Sequence, residues 1–513
     1  MKLLFTGVLL LIFSVSFGQT SVNEISLESG DYVVGFRHYL TQDSSRTYQR
    51  IYDWNNEYIP RPIPVSIWYP AEVEGVNQEP LKVLDYLRIL KEEEEWEYLP
   101  DDWILNWFYY ANTEANQVHL LEETKAYSDM KPKEGKFPVI VYAPSYQASS
   151  IENFTLCEML ASHGYIVISS PSRGADTRYF EGGTAKDMET QARDIEFLMN
   201  EIGKYPQADL NQIGTMGFSF GGLSHVLTQM RNEGIKAVVS LDGSIKYQFV
   251  TLQKSPFFDL KKFDVPFIHM AQKEIPDEIL RDDGIDPSLN TDFEFYDSIN
   301  SVPAYKLQFH KLTHTNFSSL GVLFAERDPR QDMPDSEIME SFRLVSTYTL
   351  NFLNAYLKND SEGKEFLSKS PKENQIKDEL ISINSKFPAP EKYTFRDFNE
   401  QAANQEYKNL KLLYEQILTI HPSFQLPEGN LNNLGLQLLF NPKTSNFGIN
   451  VFLLAIELYP NSSNLFDSLA EAYLFVGEKE KAKENFAKSL ELDPNNQNAI
   501  DRLKELNEAG KKN

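Results

Sequence analysis

The sequence predicts an α/β domain with a mostly parallel sheet and helices on both faces, followed by an all-helical domain. Between Phe137 and about Leu357, short apolar runs typical of strands buried on both faces alternate with helical patterns. The strand-like runs are residues 138–143, 165–170, 212–217, 236–241, 266–270 and 304–310. Beyond Gln401 the pattern becomes helical and repetitive. A chain of 513 residues also exceeds what one hydrophobic core organises, so two or three domains are expected.

The composition excludes several classes of function. Hydrophobic residues make up 41% of the chain and charged residues 24%, as in ordinary folded proteins. A formal net charge of −25 repels phosphate backbones, so we expect no nucleic-acid partner. The single cysteine, Cys157, excludes an intrachain disulfide and any multi-cysteine metal site. H-E-x-x-H, G-x-G-x-x-G and P-loop motifs are missing, so we expect neither a metal nor a cofactor.

Residues 1–18 are typical of a secretory signal peptide. Lys2 precedes an apolar run from Leu3 to about Val15, and small residues follow before Gln19, the expected first residue of the mature chain. An uncleaved membrane anchor is the alternative, but the run is shorter than the roughly 20 apolar residues that a span needs. We therefore expect an exported protein of the bacterial periplasm or the extracellular space, with no transmembrane segment after signal removal.

We expect the α/β domain to span residues 19–357, with a helical insertion at residues 81–130 that is rich in Trp, Tyr and Glu. The insertion could form a cap over a pocket, or its aromatic residues could simply pack in the core. These residues are Trp96, Trp103, Trp107, Tyr109 and Tyr110. Residues 358–400 are polar, with several Lys, Ser and Pro residues, and are interpreted as a linker.

The C-terminal region, residues 401–513, carries signs of tetratricopeptide repeats. Pro460 and Pro494 lie 34 residues apart, which is the period of that repeat. In residues 463–496 five positions agree with the repeat pattern: Leu469, Tyr473, Ala482, Phe486 and Pro494. A plain helical hairpin domain is the alternative. Residues 497–510 would form a capping helix, and the repeats could hold a protein partner.

A G-x-S-x-G motif at Gly217–Gly221 indicates a catalytic serine. It follows the strand-like run 212–217 and precedes a helix-compatible segment, which is the setting of a nucleophile elbow. The two glycines permit a tight turn that lifts the Ser219 hydroxyl above the strand ends. A serine hydroxyl needs a base to become a nucleophile. A glycine-rich turn with an idle serine is the alternative.

His314 is the predicted base. In elbow folds the base follows the serine and the acid along the chain. Among the later histidines, His225 lies on the helix just after the serine, His269 and His310 lie inside predicted strands, and His421 lies in the helical region. Only His314 lies in a loop after the last strand of the α/β domain.

Asp242 is the predicted acid, because it directly follows the strand-like run 236–241 and would face the active-site edge. Glu274 or Asp277 after the next strand is the rival, and Asp242 could instead cap a turn.

Oxyanion stabilisation needs two N–H donors. We expect them from Phe220, after the nucleophile, and from Tyr146, in the loop after residues 138–143.

Five segments together resemble a known family. They are PVIVYAPSYQASS (138–150), LCEMLASHGYIVISSPSRG (156–174), IGTMGFSFGG (213–222), VVSLDG (238–243) and HTNFSS (314–319). Across roughly residues 30–355 the chain resembles the α/β-hydrolases related to platelet-activating factor acetylhydrolase and dienelactone hydrolase. The resemblance implies the α/β-hydrolase fold, supports Asp242 as the acid, and matches His314 to the family's His-x-Asn-Phe motif. The family's His-Gly-x-Gly oxyanion loop is here Pro144-Ser145-Tyr146-Gln147, without the glycines.

The expected function is an exported serine hydrolase that cleaves a carboxylic ester of a small-molecule or acylated substrate. Peptide and thioester bonds are lesser options. The alternative is a catalytically weak or inactive hydrolase-fold protein that binds a protein partner through its helical repeats.

Overall fold

The computed structural model describes residues 20–51, 57–72, 78–282, 284–325, 333–388 and 393–509. The predicted signal peptide, residues 1–18, and the expected mature N-terminus at Gln19 lie outside these residues. The chain divides into two compact units, Met1–Pro388 and Ala389–Asn513. Across the described residues no helix is both long and apolar enough for a membrane span.

The described residues of the first unit form one ten-stranded sheet. Its strands are β1 (Val33–Tyr48), β2 (Ile59–Ala71), β3 (Ala126–Ser128), β4 (Phe137–Ala143), β5 (Ile166–Ser169), β6 (Ala208–Phe218), β7 (Ile235–Leu241), β8 (Phe267–Ala271), β9 (Ala304–Phe309) and β10 (Ile381–Lys386). They lie in the order β10-β9-β8-β7-β6-β4-β5-β2-β1-β3. Strands β4 to β9 are mutually parallel, whereas β2 pairs antiparallel with both β1 and β5. All six runs predicted as strands form β4 to β9.

Helices cover both faces of this sheet. They are α1 (Val22–Ile25), α2 (Val83–Glu93), α3 (Ile104–Trp107), α4 (Glu114–His119), α5 (Phe154–Ser162), α6 (Ala185–Glu201), α7 (Gly221–Arg231), α8 (Phe249–Gln253), α9 (Asp277–Asp282), α10 (Glu294–Ser298), α11 (Ser319–Phe324), α12 (Asp335–Leu357) and α13 (Ser361–Ser368). Alternate residues of β4 point to opposite faces. Ile140 and Tyr142 join the core that contains α5 and α12, while Val139 and Val141 join the core that contains α6. The predicted α/β-hydrolase fold is confirmed.

The insertion at residues 81–130 contains α2, α3 and α4, and it ends in strand β3. It is therefore not wholly helical, because β3 pairs parallel with β1 at Val34 and Ala126. Its helices share the core beside β2: Tyr86 and Leu87 are fully buried, and the Trp68 Nε1–H donates to the Tyr86 hydroxyl at 2.8 Å. This packing fixes the insertion to the sheet.

Residues 358–400 differ from the linker expected for them. They contain α13 and strand β10, which pairs antiparallel with β9 and adds an edge strand to the sheet. Only Ile381 of β10 is buried, and most of its other side chains are polar and exposed. An edge strand with one thin apolar face therefore has the composition of a loop.

The second unit is all-helical in its described residues. Its helices are α14 (Phe395–Asn404), α15 (Leu410–Ile420), α16 (Glu428–Leu439), α17 (Ser445–Leu458), α18 (Ser463–Phe475), α19 (Lys479–Leu492) and α20 (Gln497–Ala509). Leu469 on α18 is buried, as are Ala482 and Phe486 on α19, so three of the positions that predicted a repeat lie in the core. The tetratricopeptide identity itself stays a prediction.

Candidate active site

Ser219 lies in a sharp turn between β6 and α7. Its φ is 51°, in the left-handed region, which costs a non-glycine residue roughly 1–3 kcal/mol. The flanking glycines are required by close contacts. A Cβ at Gly217 would lie 2.2 Å from Nδ1 of His225, and a Cβ at Gly221 would lie 2.1 Å from the carbonyl oxygen of Ala143. The motif therefore forms the strained strand–turn–helix of a nucleophile elbow.

The structure brings Ser219, His314 and Asp242 into one chain of hydrogen bonds. The Nδ1 of His314 lies 2.6 Å from Oδ2 of Asp242, and its Nε2 lies 2.9 Å from Oγ of Ser219. Asp242 lies just beyond β7, is fully buried, and accepts a second bond from the backbone N–H of Gln272 at 3.0 Å. An ionised carboxylate can only accept, so Nδ1 donates to Asp242, and Nε2 is left to accept from the serine hydroxyl.

The pKa shifts follow from this arrangement. Burial alone would raise the pKa of Asp242, but the hydrogen bond and the charge of His314 outweigh it, and the pKa is lowered. Burial alone would lower the pKa of His314, but the hydrogen bond that it donates to Asp242 and the charges of Asp242 and Glu152 raise it. The pair thus favours an ionised acid beside an imidazole that gains a proton readily.

The two predicted oxyanion donors lie on neighbouring aromatic residues. The ring centroids of Tyr146 and Phe220 are 6.0 Å apart, edge to face, and both rings contact Phe180. Within the described residues neither the Tyr146 N–H nor the Phe220 N–H donates to a protein acceptor. Both are therefore available to an incoming oxygen atom.

Glu152 is a functional residue that the sequence analysis missed. It is 8% exposed, and its Oε2 accepts from the backbone N–H of Ser145 at 2.9 Å and from the Tyr142 hydroxyl at 3.2 Å. Its Oε1 accepts from the Ser145 hydroxyl at 2.5 Å. Glu152 thus holds the residue just before Tyr146, in the loop that lacks the family's glycines. No motif marks it; the only available signal was an acidic residue shortly after that loop.

The oxyanion loop is fixed at further points. The Gln191 side chain donates from Nε2 to the carbonyl oxygen of Pro144 at 2.8 Å. Gln147 has a φ of 50°, and its Oε1 accepts from the backbone N–H of Phe180 at 3.1 Å. A left-handed residue held by its side chain supplies the turn that a glycine would otherwise make.

The site opens into a cleft of about 580 Å³ beside His314. Four of the five aromatic residues singled out in the insertion line it: Trp96, Trp107, Tyr109 and Tyr110. The fifth, Trp103, is 56% exposed and does not line the cleft. Tyr110 also packs against the core and contacts the ring of Phe324, so the positions of these side chains fit both alternatives for the insertion.

The rival site residues do not join this arrangement. His225 and His269 are fully buried, and burial lowers the pKa of each to about 3, so neither suits the role of base. The carboxylate bonded to His314 is that of Asp242 and not that of Glu274. Cys157 is buried in α5, away from solvent. Among the described residues, no group of His, Cys, Asp and Glu side chains is arranged to hold a metal ion.

Two comparisons with known proteins find partial matches. The family model for X-Pro dipeptidyl-peptidases (S15 family) matches residues 128–250, a stretch that includes Ser219 and Asp242 and ends before His314. A solved structure of a ferulic acid esterase from Streptomyces cinnamoneus matches with a TM-score of 0.49 and 17% identity, covering 70% of this chain and 98% of that chain. A comparison with curated proteins finds no match.

The fold and the family match define the class of protein. Its described residues have an α/β-hydrolase fold, and residues 128–250 match a hydrolase family. The matched family stretch covers less than half of the chain, so the match does not identify a substrate, which has to be inferred from the site.

Proposed function

We propose that this chain is an exported serine hydrolase that cleaves a carboxylic ester through an acyl-enzyme. The observation that carries the proposal is the hydrogen-bonded chain from Ser219 through His314 to Asp242. His314 takes the proton of the Ser219 hydroxyl as the oxygen attacks the ester carbonyl, and the imidazolium then gives this proton to the leaving alcohol. A water molecule, activated by the same histidine, releases the acid in the second half of the reaction.

The remaining groups stabilise the charges that develop during the reaction. The ionised Asp242 stabilises the imidazolium form of His314 and keeps its Nε2 directed at the serine. The negative oxygen that develops on the carbonyl would be held by the N–H groups of Tyr146 and Phe220. No step needs a metal or a cofactor.

An ester is favoured over a peptide by the state of the carboxylates in the described cleft. A dipeptidyl-peptidase must recognise the amino terminus of its substrate, and a free carboxylate is the usual partner of an ammonium group. Glu94 is paired with Arg178 at 2.6 Å, and Glu152 accepts from Ser145 and Tyr142. Both carboxylates are already engaged.

The test is labelling of the full-length mature protein with a fluorophosphonate, followed by hydrolysis of simple esters and of an X-Pro anilide. Ser219→Ala should abolish labelling and lower kcat/KM for esters by at least about 10⁴-fold. Ser382→Ala changes an exposed serine on β10 and is the matched control. Labelling that survives Ser219→Ala would refute the proposal. If the anilide is cleaved faster than every ester, the substrate is a peptide and not an ester.

A second candidate is a weak or inactive hydrolase that binds a protein through its helical unit. Exposed apolar side chains on α15 and at the end of α16 favour it: Leu412, Ile420 and Phe440 are 55%, 75% and 71% exposed. A stoichiometric partner recovered with a protein that hydrolyses no ester would support this candidate. Export is tested separately, by mass spectrometry of the mature N-terminus, which we expect at Gln19.

A further inference from the structure

Aromatic side chains form a large part of the wall of the cleft, and several of them are exposed. Trp96, Trp107, Tyr109 and Tyr110 come from the insertion, and Tyr146 and Tyr179 come from loops beside the sheet. Tyr109 is 93% exposed, and Tyr146 and Tyr179 are each 42% exposed. Large exposed aromatic side chains gathered at the mouth of a catalytic cleft indicate a surface that is covered when substrate binds.

Several polar side chains of the same cleft are already hydrogen-bonded within the protein. Glu152 accepts from Ser145 and Tyr142, and the Ser149 hydroxyl donates to Glu93. The Gln147 amide oxygen accepts from the N–H of Phe180. These carboxylate, hydroxyl and amide groups are therefore less available to the charges or hydroxyl groups of a substrate.

Arg178 is the clearest case of a charge that is already used. Its guanidinium bonds to the Oε2 of Glu94 at 2.6 Å and to the Glu94 carbonyl oxygen. It also lies 4.8 Å from the ring centroid of Trp96 and 4.7 Å from that of Tyr179. It thus joins the insertion to the opposite loop, between two aromatic rings, and its charge is balanced by Glu94.

We infer that the ester substrate carries an uncharged aromatic ring next to the scissile bond, and that the rings of the insertion bind it. This inference rests on the proposed function and names its substrate class. A cleft of about 580 Å³ is within the range of roughly 300–1,000 Å³ that holds small organic ligands. Planar rings are bound face to edge or with an offset by aromatic walls, whereas a saturated ring of the same size contacts them less closely.

The experiment compares esters of equal intrinsic reactivity on the full-length mature protein. Methyl 3-phenylpropanoate is paired with methyl 3-cyclohexylpropanoate, which places the ring in the acyl part. Acetates of 2-phenylethanol and 2-cyclohexylethanol place it in the alcohol part, and a 6-O-acetyl methyl glucoside tests a sugar ring. In at least one pair, we expect the aromatic ester to have about tenfold or higher kcat/KM.

Tyr109→Ala should reduce this aromatic preference to about threefold or less, mainly through KM. Tyr109 is almost fully exposed, so its loss leaves the core intact. Tyr98→Ala is the matched control, since Tyr98 belongs to the same insertion and is 66% exposed but does not line the cleft. It should keep the preference of the unaltered protein.

Equal rates within both pairs, or faster hydrolysis of the glucoside acetate, would overturn the inference while the proposed ester hydrolysis stands. A preference that survives Tyr109→Ala unchanged would also overturn it. If fluorophosphonate fails to label Ser219 and no ester is cleaved, the proposed function itself fails, so the two failures are distinguishable.

Discussion

The two units of this chain place their buried polar groups very differently. The first unit buries more than ten charged side chains, among them the pair Arg61 and Asp194, joined by bonds of 2.6 and 3.0 Å. In the described part of the second unit, residues 393–509, the buried polar side chains are three serines, Ser445, Ser468 and Ser489. Its cores otherwise consist of apolar side chains.

This contrast separates two ways of using a core. Buried charges cost free energy unless each one is paired and hydrogen-bonded, and they are kept where chemistry or exact positioning needs them. In the first unit they hold the loop that carries Tyr146, the insertion and His314. The described cores of the helical unit consist mostly of apolar side chains, so its stability should respond more to cavities than to pH.

Apart from changes to Ser219, His314 and Asp242, we expect Glu152→Gln to lower the catalytic activity most. An amide offers one acceptor oxygen where the carboxylate offers two, so Ser145 loses one of its hydrogen bonds to residue 152. The N–H of the next residue, Tyr146, is then held less firmly in the direction of the oxyanion. We expect kcat to fall about 10–100-fold with KM little changed, since a whole oxyanion donor contributes about 10²–10³-fold.

The pH profile of kcat/KM distinguishes positioning from general damage. The negative charge of Glu152 helps to raise the pKa of His314. Removing that charge lowers the pKa, so the neutral base persists to lower pH and the acid limb of the profile moves to lower pH. Glu158→Gln is the matched control. Glu158 lies on α5, shortly after Glu152 in the chain, is fully buried, and accepts from the Tyr86 hydroxyl and the backbone N–H of Lys125. None of these three residues lines the cleft. An unchanged kcat and acid limb in Glu152→Gln would contradict this role.

Glu93→Gln tests whether a buried carboxylate makes the stability of the first unit depend on pH. Burial raises the pKa of Glu93 to about 7, against bonds from Ser149 and Ser150 that lower it. The folded state therefore binds this proton more tightly than the unfolded state does. The resulting stabilisation is present in full below about pH 4.5 and is lost as pH rises through about 7, by roughly 3 kcal/mol.

Urea unfolding of the first unit at pH 5 and pH 8 measures this loss. The difference between the two free energies of unfolding should be smaller in Glu93→Gln by about 2–3 kcal/mol. Glu158, whose pKa burial also raises to about 7, leaves part of the pH dependence in place. Glu92→Gln changes an exposed neighbour on α2 and should leave the difference as it is. The role of Glu93 is refuted if both variants retain the full difference.

Strand pattern and motif were enough to predict the central sheet and to choose the residues that the structure joins into one hydrogen-bonded chain. Strands β4 to β9 are apolar runs between turn residues, and Ser219, Asp242 and His314 each follow a strand directly or in the next loop. Strand β10 escaped, because an edge strand with one buried isoleucine resembles a loop. Glu152 escaped because its role arises from a bond to a loop several residues away, which no spacing rule marks. The sequence could not decide whether the aromatic residues of the insertion form a cap or pack in the core, because cores and pockets are lined by the same kinds of side chain.

Phe486→Ala tests the other side of the comparison and should have the smallest effect on catalysis. Phe486 on α19 is fully buried with Ala470, Ala482 and Ala499. Its truncation removes buried apolar contacts and leaves a cavity, so the second unit should lose about 3–5 kcal/mol at every pH from 5 to 8. Hydrolysis of a small soluble ester should stay within about twofold, because the described residues of the site, Ser219, His314 and Asp242, belong to the first unit. Phe440→Ala changes a side chain that is 71% exposed and should alter neither quantity. If Phe486→Ala lowers ester hydrolysis about tenfold while the first unit remains folded, the helical unit contributes to the site and the separation of roles is wrong.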